Sequence, residues 1–236
     1  MSFLEVEDIH VYYGKSHILQ GVSFVAERGE IVSLLGRNGS GRSTTLKAMM
    51  GLVPMSQGNI HLMDKKITGR SPSQIVHSGI SYVPEERLIF DNLTTNENLL
   101  IGQQPGRAEA PKWTIAEMYE YFPRLAERRN AKAGTLSGGE KQMLTICRSL
   151  LGNPTLILID EPTEGLAPQI VDVVMNVILM IKKRGVTVLL VEQKLTITLD
   201  VSDRVLVMGH GKVVFEGKPK DIEDNDKIRK EWLEVG

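Results

Sequence analysis

The first third of the chain alternates short apolar runs with turn residues. Leu4–Val6, Ile9–Tyr13, Val22–Val25 and Ile31–Leu35 have the length and composition of β-strands. The last of them runs straight into a glycine-rich loop, and Thr44–Leu52 beyond it has helical character. Gly58–Met63 and Ile80–Val83 read as further strands. The pattern changes between about Glu85 and Gly152. Asn96–Ile101 and Ile115–Phe122 read as helices, Gln103–Pro111 as a loop, and Ser137 as the cap of a helix reaching about Leu151. Thr155–Asp160 and Val186–Val191 are continuous aliphatic runs, the mark of strands buried on both faces. A helix over 168–184 separates them and is ended by Gly185. Leu195–Val201 predicts a short helix, and Arg204–Met208 and Lys212–Glu216 flank His210-Gly211 as a hairpin. This alternation predicts an α/β fold with a mainly parallel sheet and helices on both faces. It also predicts one domain over 1–236, with a core of 1–84 and 153–236 and a helical lobe inserted at about 85–152.

Composition narrows the picture. A net charge of −1 over 236 residues, with signs mixed, gives no bulk attraction to nucleic acid or anionic lipid. The longest apolar stretch, Val173 to Ile181, is broken by Asn176 and falls well short of the roughly 20 residues that span a bilayer. Residues 1–8 lack the basic and apolar regions of a secretion signal. The chain is therefore expected to stay out of the membrane while remaining free to dock on a protein within it. The one cysteine, Cys147, lies in an apolar helical pattern and reads as a buried bystander rather than a reactive thiol.

Three motifs carry chemistry. Gly36-Arg37-Asn38-Gly39-Ser40-Gly41-Arg42-Ser43-Thr44 is close to the phosphate-binding pattern Gly-x-x-x-x-Gly-Lys-Ser/Thr, with arginine in the lysine position. Its glycines let the backbone curl so that N–H groups face one point, and the following helix start adds partial positive charge there. Ser43 offers a hydroxyl to Mg²⁺. In the second motif, Leu156-Ile157-Leu158-Ile159-Asp160-Glu161, a buried strand ends in two acids. Asp160 suits a metal-binding role, and Glu161 suits a base that orients and deprotonates water. A pair of helix-capping acids is the plainer alternative, and it leaves two successive acids unexplained. The third motif, Leu136-Ser137-Gly138-Gly139-Glu140, presents a hydroxyl and bare N–H groups at a helix start, a second anion site.

With that third motif the chain resembles the ABC ATPase family, whose signature is Leu-Ser-Gly-Gly-Gln or a near variant. The resemblance covers essentially the whole chain. It implies a phosphate-loop nucleoside-triphosphatase fold with an N-terminal antiparallel β subdomain and an inserted helical lobe, and it implies ATP and Mg²⁺ as cofactors. It also implies a head-to-tail dimer, in which Gly36–Thr44 of one subunit faces Ser137, Gly138 and Gly139 of the other. Tyr13 resembles the aromatic residue that stacks on adenine, with Tyr12 as the fallback. Glu164-Gly165-Leu166-Ala167-Pro168 occupies the loop that crosses the dimer interface.

Three positions depart from the family pattern. Arg42 keeps the charge of the usual lysine on a longer, planar group, so nucleotide binding is expected to survive and turnover to fall. Glu85, in Tyr82-Val83-Pro84-Glu85-Glu86-Arg87, replaces a glutamine that approaches Mg²⁺ or the attacking water. Gln193, in Leu190-Val191-Glu192-Gln193, replaces a histidine and can donate to a phosphate without changing charge. These last two replacements, together with Gly165-Leu166-Ala167-Pro168, resemble the ATPases of branched-chain amino-acid importers. That likeness implies permease subunits, a homodimer or a heterodimer with a second ABC ATPase, a periplasmic solute-binding protein, and a place on the inner face of the cell membrane. Leu88, Ile89 and Phe90 are expected either to dock a partner helix or to pack the lobe. Three rival readings stay open: a nucleotide-gated dimer with little hydrolysis, a single-domain ATPase of lipid or lipopolysaccharide export, and an ABC ATPase outside transport.

Overall fold

A computed structural model describes residues 2–233. The chain begins with a four-stranded sheet, ordered β2-β1-β4-β5, made of β1 (Leu4–Tyr13), β2 (Ser16–Ala26), β4 (Met55–Leu62) and β5 (Lys65–Lys66). All of its pairings are antiparallel. The two short strands expected at 4–6 and 9–13 are one strand, β1, with a bulge between them. Asp8 takes φ 46° there, and the register shifts between Val6 and Ile9 against β2 and between Glu7 and His10 against β4. Gly58 on β4 lies against this bulge, where a Cβ would stand 2.5 Å from the Asp8 carbonyl oxygen. The extra residue reverses the inside–outside alternation, so the sequence pattern breaks although the strand does not. β2 also begins earlier than the expected Val22, because it pairs with Tyr12 and Tyr13. β5 and α2 (Pro72–His77) leave no clear periodic signal and appear only in the structure.

The second sheet has six strands in the order β10-β9-β3-β8-β7-β6. These are β3 (Ile31–Leu35), β6 (Ile80–Val83), β7 (Leu156–Asp160), β8 (Thr187–Val191), β9 (Arg204–Gly209) and β10 (Lys212–Gly217). The pairs β3–β8, β3–β9, β6–β7 and β7–β8 are parallel, and the β9–β10 hairpin adds an antiparallel edge. Every residue of β3, β7 and β8 is buried, as their aliphatic runs require. Alternate residues divide between two cores. Leu156 and Leu158 join the side chains of α1 (Arg42–Met49) and the N-terminal sheet, whereas Ile157 and Ile159 face the helices.

Those helices fall mainly between β6 and β7: α3 (Thr95–Gly102), α4 (Ile115–Tyr121), α5 (Pro123–Glu127) and α6 (Gly138–Leu150). Phe122 alone separates α4 from α5, which the apolar pattern does not predict and which Pro123 starts. α7 (Pro168–Lys183) covers the same face of the sheet, and Gly185 at φ 83° follows its end. α8 (Leu195–Val201) and two short helices, α9 (Pro219–Glu223) and α10 (Asp226–Ile228), complete the order before a last π-helical turn, Arg229–Leu233. Among the described residues no helix is long and apolar enough to cross a membrane. Cys147 is fully buried, and burial pushes its thiol pKa well up.

Candidate functional site

Parallel register brings the site together. Asp160 lies beside Val191, Leu34 beside Val191, and Val83 beside Ile159. The carboxyl ends of β3, β6, β7 and β8 therefore open on one side, the usual place for a ligand in such a sheet. Residues 38–44, Glu85, Glu161 and Gln193 line one cleft of about 260 Å³ there. A larger hollow of 450 Å³ beneath β5 and α2, lined by Lys65, Arg70 and Arg107 among others, holds none of these groups.

The floor of the cleft is the start of α1. Gly41 precedes it at φ 105°, and no side chain caps the helix. A Cβ on Gly41 would meet Leu19 Cδ2 at 2.7 Å, so both backbone and space require glycine. The first-turn N–H groups at residues 42–44 are left to an incoming acceptor. The acids stand beside them. Ser43 Oγ donates to Asp160 Oδ1 at 2.9 Å, and Tyr82 OH donates to Asp160 Oδ2 at 3.0 Å. Burial raises the Asp160 pKa against the pull of these two bonds, and it raises that of Tyr82 as well. Arg42 Nη2 donates to Glu161 Oε1 at 2.9 Å, and Gln193 Nε2 donates to Glu161 Oε2 at 2.7 Å. Burial raises the Glu161 pKa; Arg42 and Gln193 oppose the shift. Glu161 itself sits at φ 44°, held by its N–H to the Val191 carbonyl at 2.9 Å.

Not every anticipated residue faces this cleft. The Arg37 side chain turns toward the C-terminal segment, where Nη2 donates to the Lys230 carbonyl at 3.3 Å. Gly36 is not part of the lining. Tyr13 stands half exposed at the end of β1, whereas the Tyr12 ring stacks on His17 with centroids 4.1 Å apart. Ser137, Gly138 and Gly139 lie at the start of α6, outside the cleft. There the Ser137 hydroxyl accepts from Glu140 N at 3.3 Å, and Ser137 N donates to Glu140 Oε2 at 2.7 Å. The three apolar residues at 88–90 divide: Leu88 and Phe90 are exposed, while Ile89 packs against the core. Arg148 of α6 supports that loop, its guanidinium 5.1 Å from the Phe90 ring and bonded to the Leu88 carbonyl.

Three positions acquire meaning only from the structure. Tyr82 holds one Asp160 oxygen, and its place at the end of β6 one strand from Asp160 was the available signal. Glu192 accepts from Thr163 Oγ1 at 2.6 Å and from Gln193 N at 2.8 Å, fixing the loop after β8. Arg87 joins three segments: Nε donates to Gln142 Oε1 of α6 at 3.1 Å, and Nη2 donates to the Glu164 carbonyl. No local pattern announces either of these last two.

An open parallel sheet with a glycine-hinged anion cradle and two acids at its mouth defines a nucleotide-binding ATPase of the phosphate-loop class. The family profile described as ABC transporter matches residues 19–164. A branched-chain amino acid transport ATP-binding protein, BraG of Pseudomonas aeruginosa, is 38% identical over 98% of this chain and 99% of its own length. A lipopolysaccharide export ATP-binding protein, LptB of Haemophilus influenzae, is 32% identical over 99% and 98%. A crystal structure of an ABC-transporter ATP-binding cassette in its ADP conformation superposes with a TM-score of 0.83 at 31% identity, covering 98% of each chain. The chain belongs to the ABC transporter ATP-binding family, and it is an ATPase subunit of that type.

Proposed function

We propose that this chain binds and hydrolyses ATP to power an importer of branched-chain amino acids or of a related small solute such as urea, an amide or an organic acid. The observation that carries the reading is the convergence of the uncapped α1 start, Glu161 and Gln193 on one cleft, with Asp160 bonded behind Ser43 of its lining. The cargo class rests on the Glu85 and Gln193 replacements and on the near full-length similarity to BraG.

The cradle at residues 38–44 grips phosphate oxygens through its N–H groups, with Arg42 as the local cation. The paired oxygens of Ser43 and Asp160 form a hard donor set that suits Mg²⁺, with Glu85 on the rim. When bound there, Mg²⁺ neutralises phosphate charge and orients the terminal phosphate. Tyr82 keeps Asp160 facing Ser43. Glu161 is the base that takes the proton from water, and Gln193 orients it while remaining neutral. Tyr13 stacks on the base of the nucleotide. The cleft lacks a group closing over the outer phosphate, and Ser137, Gly138 and Gly139 of a second subunit supply it. That second subunit is either another copy or a related ATPase.

Leu88, Phe90, Leu100 and Ile101 form an exposed apolar edge on the Glu85–Ile101 segment, suited to a permease helix. Arg87 ties that segment both to α6 and to the loop at Glu164. Motion at the phosphate site and at the membrane partner is thereby linked. The chain works as a peripheral subunit on the inner face of the membrane, with permeases and a periplasmic solute-binding protein in the same system. Similarity to LptB keeps lipid export as the second reading. Proteoliposomes carrying the complete assembly decide between them. ATP-dependent uptake of radiolabelled leucine or a related solute is the expected result, lost on Glu161→Gln. Robust ATP hydrolysis stimulated only by lipopolysaccharide sinks the importer reading.

A further inference from the structure

Arg42 holds the lysine position of the phosphate loop, yet its guanidinium is already committed. Nη2 donates to Glu161 Oε1 at 2.9 Å and to Asn38 Oδ1 at 3.2 Å, and Nη1 donates to the Glu192 carbonyl at 3.0 Å. The acceptors come from three places: the loop itself, the end of β7 and the end of β8. The Arg42 and Glu161 side chains are 4% and 6% exposed, so this ion pair is shielded from water. The second oxygen of Glu161 accepts from Gln193. Both oxygens of Glu161 are therefore engaged. Lysine carries its donors on one nitrogen and does not span these acceptors as a planar fork does. The arrangement belongs to this chain's arginine.

We infer that Arg42 is a latch on Glu161. It is a positioning residue that holds the carboxylate closed until phosphate oxygens draw the guanidinium away. Glu161 then keeps Gln193 as its partner and has an oxygen free for the water proton. Binding energy is spent on breaking a buried pair, so nucleotide affinity and release of the base are coupled in one step. A carboxylate competing with phosphate for the same guanidinium has a measurable signature: removing it tightens binding only while Arg42 is present. The inference rests on the nucleotide-site reading above.

The test is a double-mutant cycle on the full chain, read as binding. A fluorescent, non-hydrolysable ATP analogue with Mg²⁺ is titrated into the parent protein, Arg42→Lys, Glu161→Gln and the double variant, at concentrations where the chain is monomeric. Glu161→Gln is expected to tighten binding about tenfold in the parent, the size of one charge-assisted hydrogen bond, and less than about twofold beside Arg42→Lys. Equal shifts in both backgrounds overturn the latch and leave the nucleotide site standing. Absence of binding by every folded variant overturns the site and the latch together. Melting without nucleotide is a second readout. Arg42→Ala strands a buried carboxylate and is expected to lower the midpoint by roughly 5–10 °C. Adding Glu161→Gln is expected to recover most of that loss, and failure to recover it counts against the ion pair.

Discussion

The starts of α1 and α6 are both anion sites by sequence, and the structure leaves them in opposite states. Gly41 opens α1 at φ 105° with no side-chain cap, and the first turn lines the cleft. Ser137 opens α6 with a complete capping box, its hydroxyl and the Glu140 carboxylate exchanging bonds with the backbone. The helices α2, α3 and α4 are closed by capping boxes in the same manner as α6. The starts of α5, α7 and α8 also lack a side-chain cap, and α1 differs from them in that its first turn lines the cleft. On the proposed reading, α1 grips phosphate within one chain, and α6 adds a contact to the phosphate held by a second subunit.

Variants in the two regions should separate along this line. Glu161→Gln, beside the α1 site, removes the base and is expected to lower turnover by about 10²- to 10⁴-fold while MgATP still binds, checked by phosphate release against titration. Loss of less than about fivefold would remove Glu161 from the chemistry. Gly41→Ala forces a Cβ into Leu19 and a left-handed backbone. It is expected to weaken nucleotide binding at least about tenfold and to cost about 1–3 kcal/mol of stability in chemical denaturation. Unchanged affinity would show that the uncapped turn does not grip the phosphates.

At α6 the expected pattern reverses. Ser137→Ala removes a helix cap worth about 1 kcal/mol. Affinity of the monomer for nucleotide should stay the same, while turnover of the assembled dimer falls about tenfold or more. A matching drop in monomer affinity would place Ser137 in its own subunit's site and break the comparison. The smallest effect belongs to Glu140→Gln, since a glutamine can complete the same box. Burial alone raises the Glu140 pKa, but the bonds from Ser137 and the nearby Arg128 and Arg124 charges hold it below the ordinary glutamate value. A depressed carboxylate stabilises the folded chain above its unfolded value and loses that contribution as pH falls through its folded one. Stability of the parent and of Glu140→Gln should therefore differ slightly near neutrality, by under about 1 kcal/mol, and converge as pH falls through the acid range. A gap that widens as pH falls would contradict the capping account.

Much of the molecule was legible in residue order alone. The aliphatic runs at β3, β7 and β8 announced buried strands because both faces of a parallel sheet must be apolar. The glycine loop after β3 and the acids after β7 announced a phosphate cleft, because strand ends in such a sheet open on one side. The β1 bulge was not legible, because a one-residue slip at Asp8 depends on pairing with strands on either side. Ile89 could not be told from Leu88 and Phe90, because an apolar side chain in an irregular loop has no period to assign its face.

Sequence by itself determined which residue types met the chemistry: a curling glycine loop, a hydroxyl at its helix start, two acids at a strand end and a glycine pair at a second helix start. These are local properties, set by each residue's own backbone freedom and functional group. Only the tertiary structure decided how they are engaged. Arg42 reaches Glu161 across 119 residues and the Glu192 carbonyl across 150, and Arg37 turns to a segment 193 residues away. Parallel pairing of β3, β7 and β8 brings those positions within hydrogen-bond distance, and that register depends on the packing of the whole sheet.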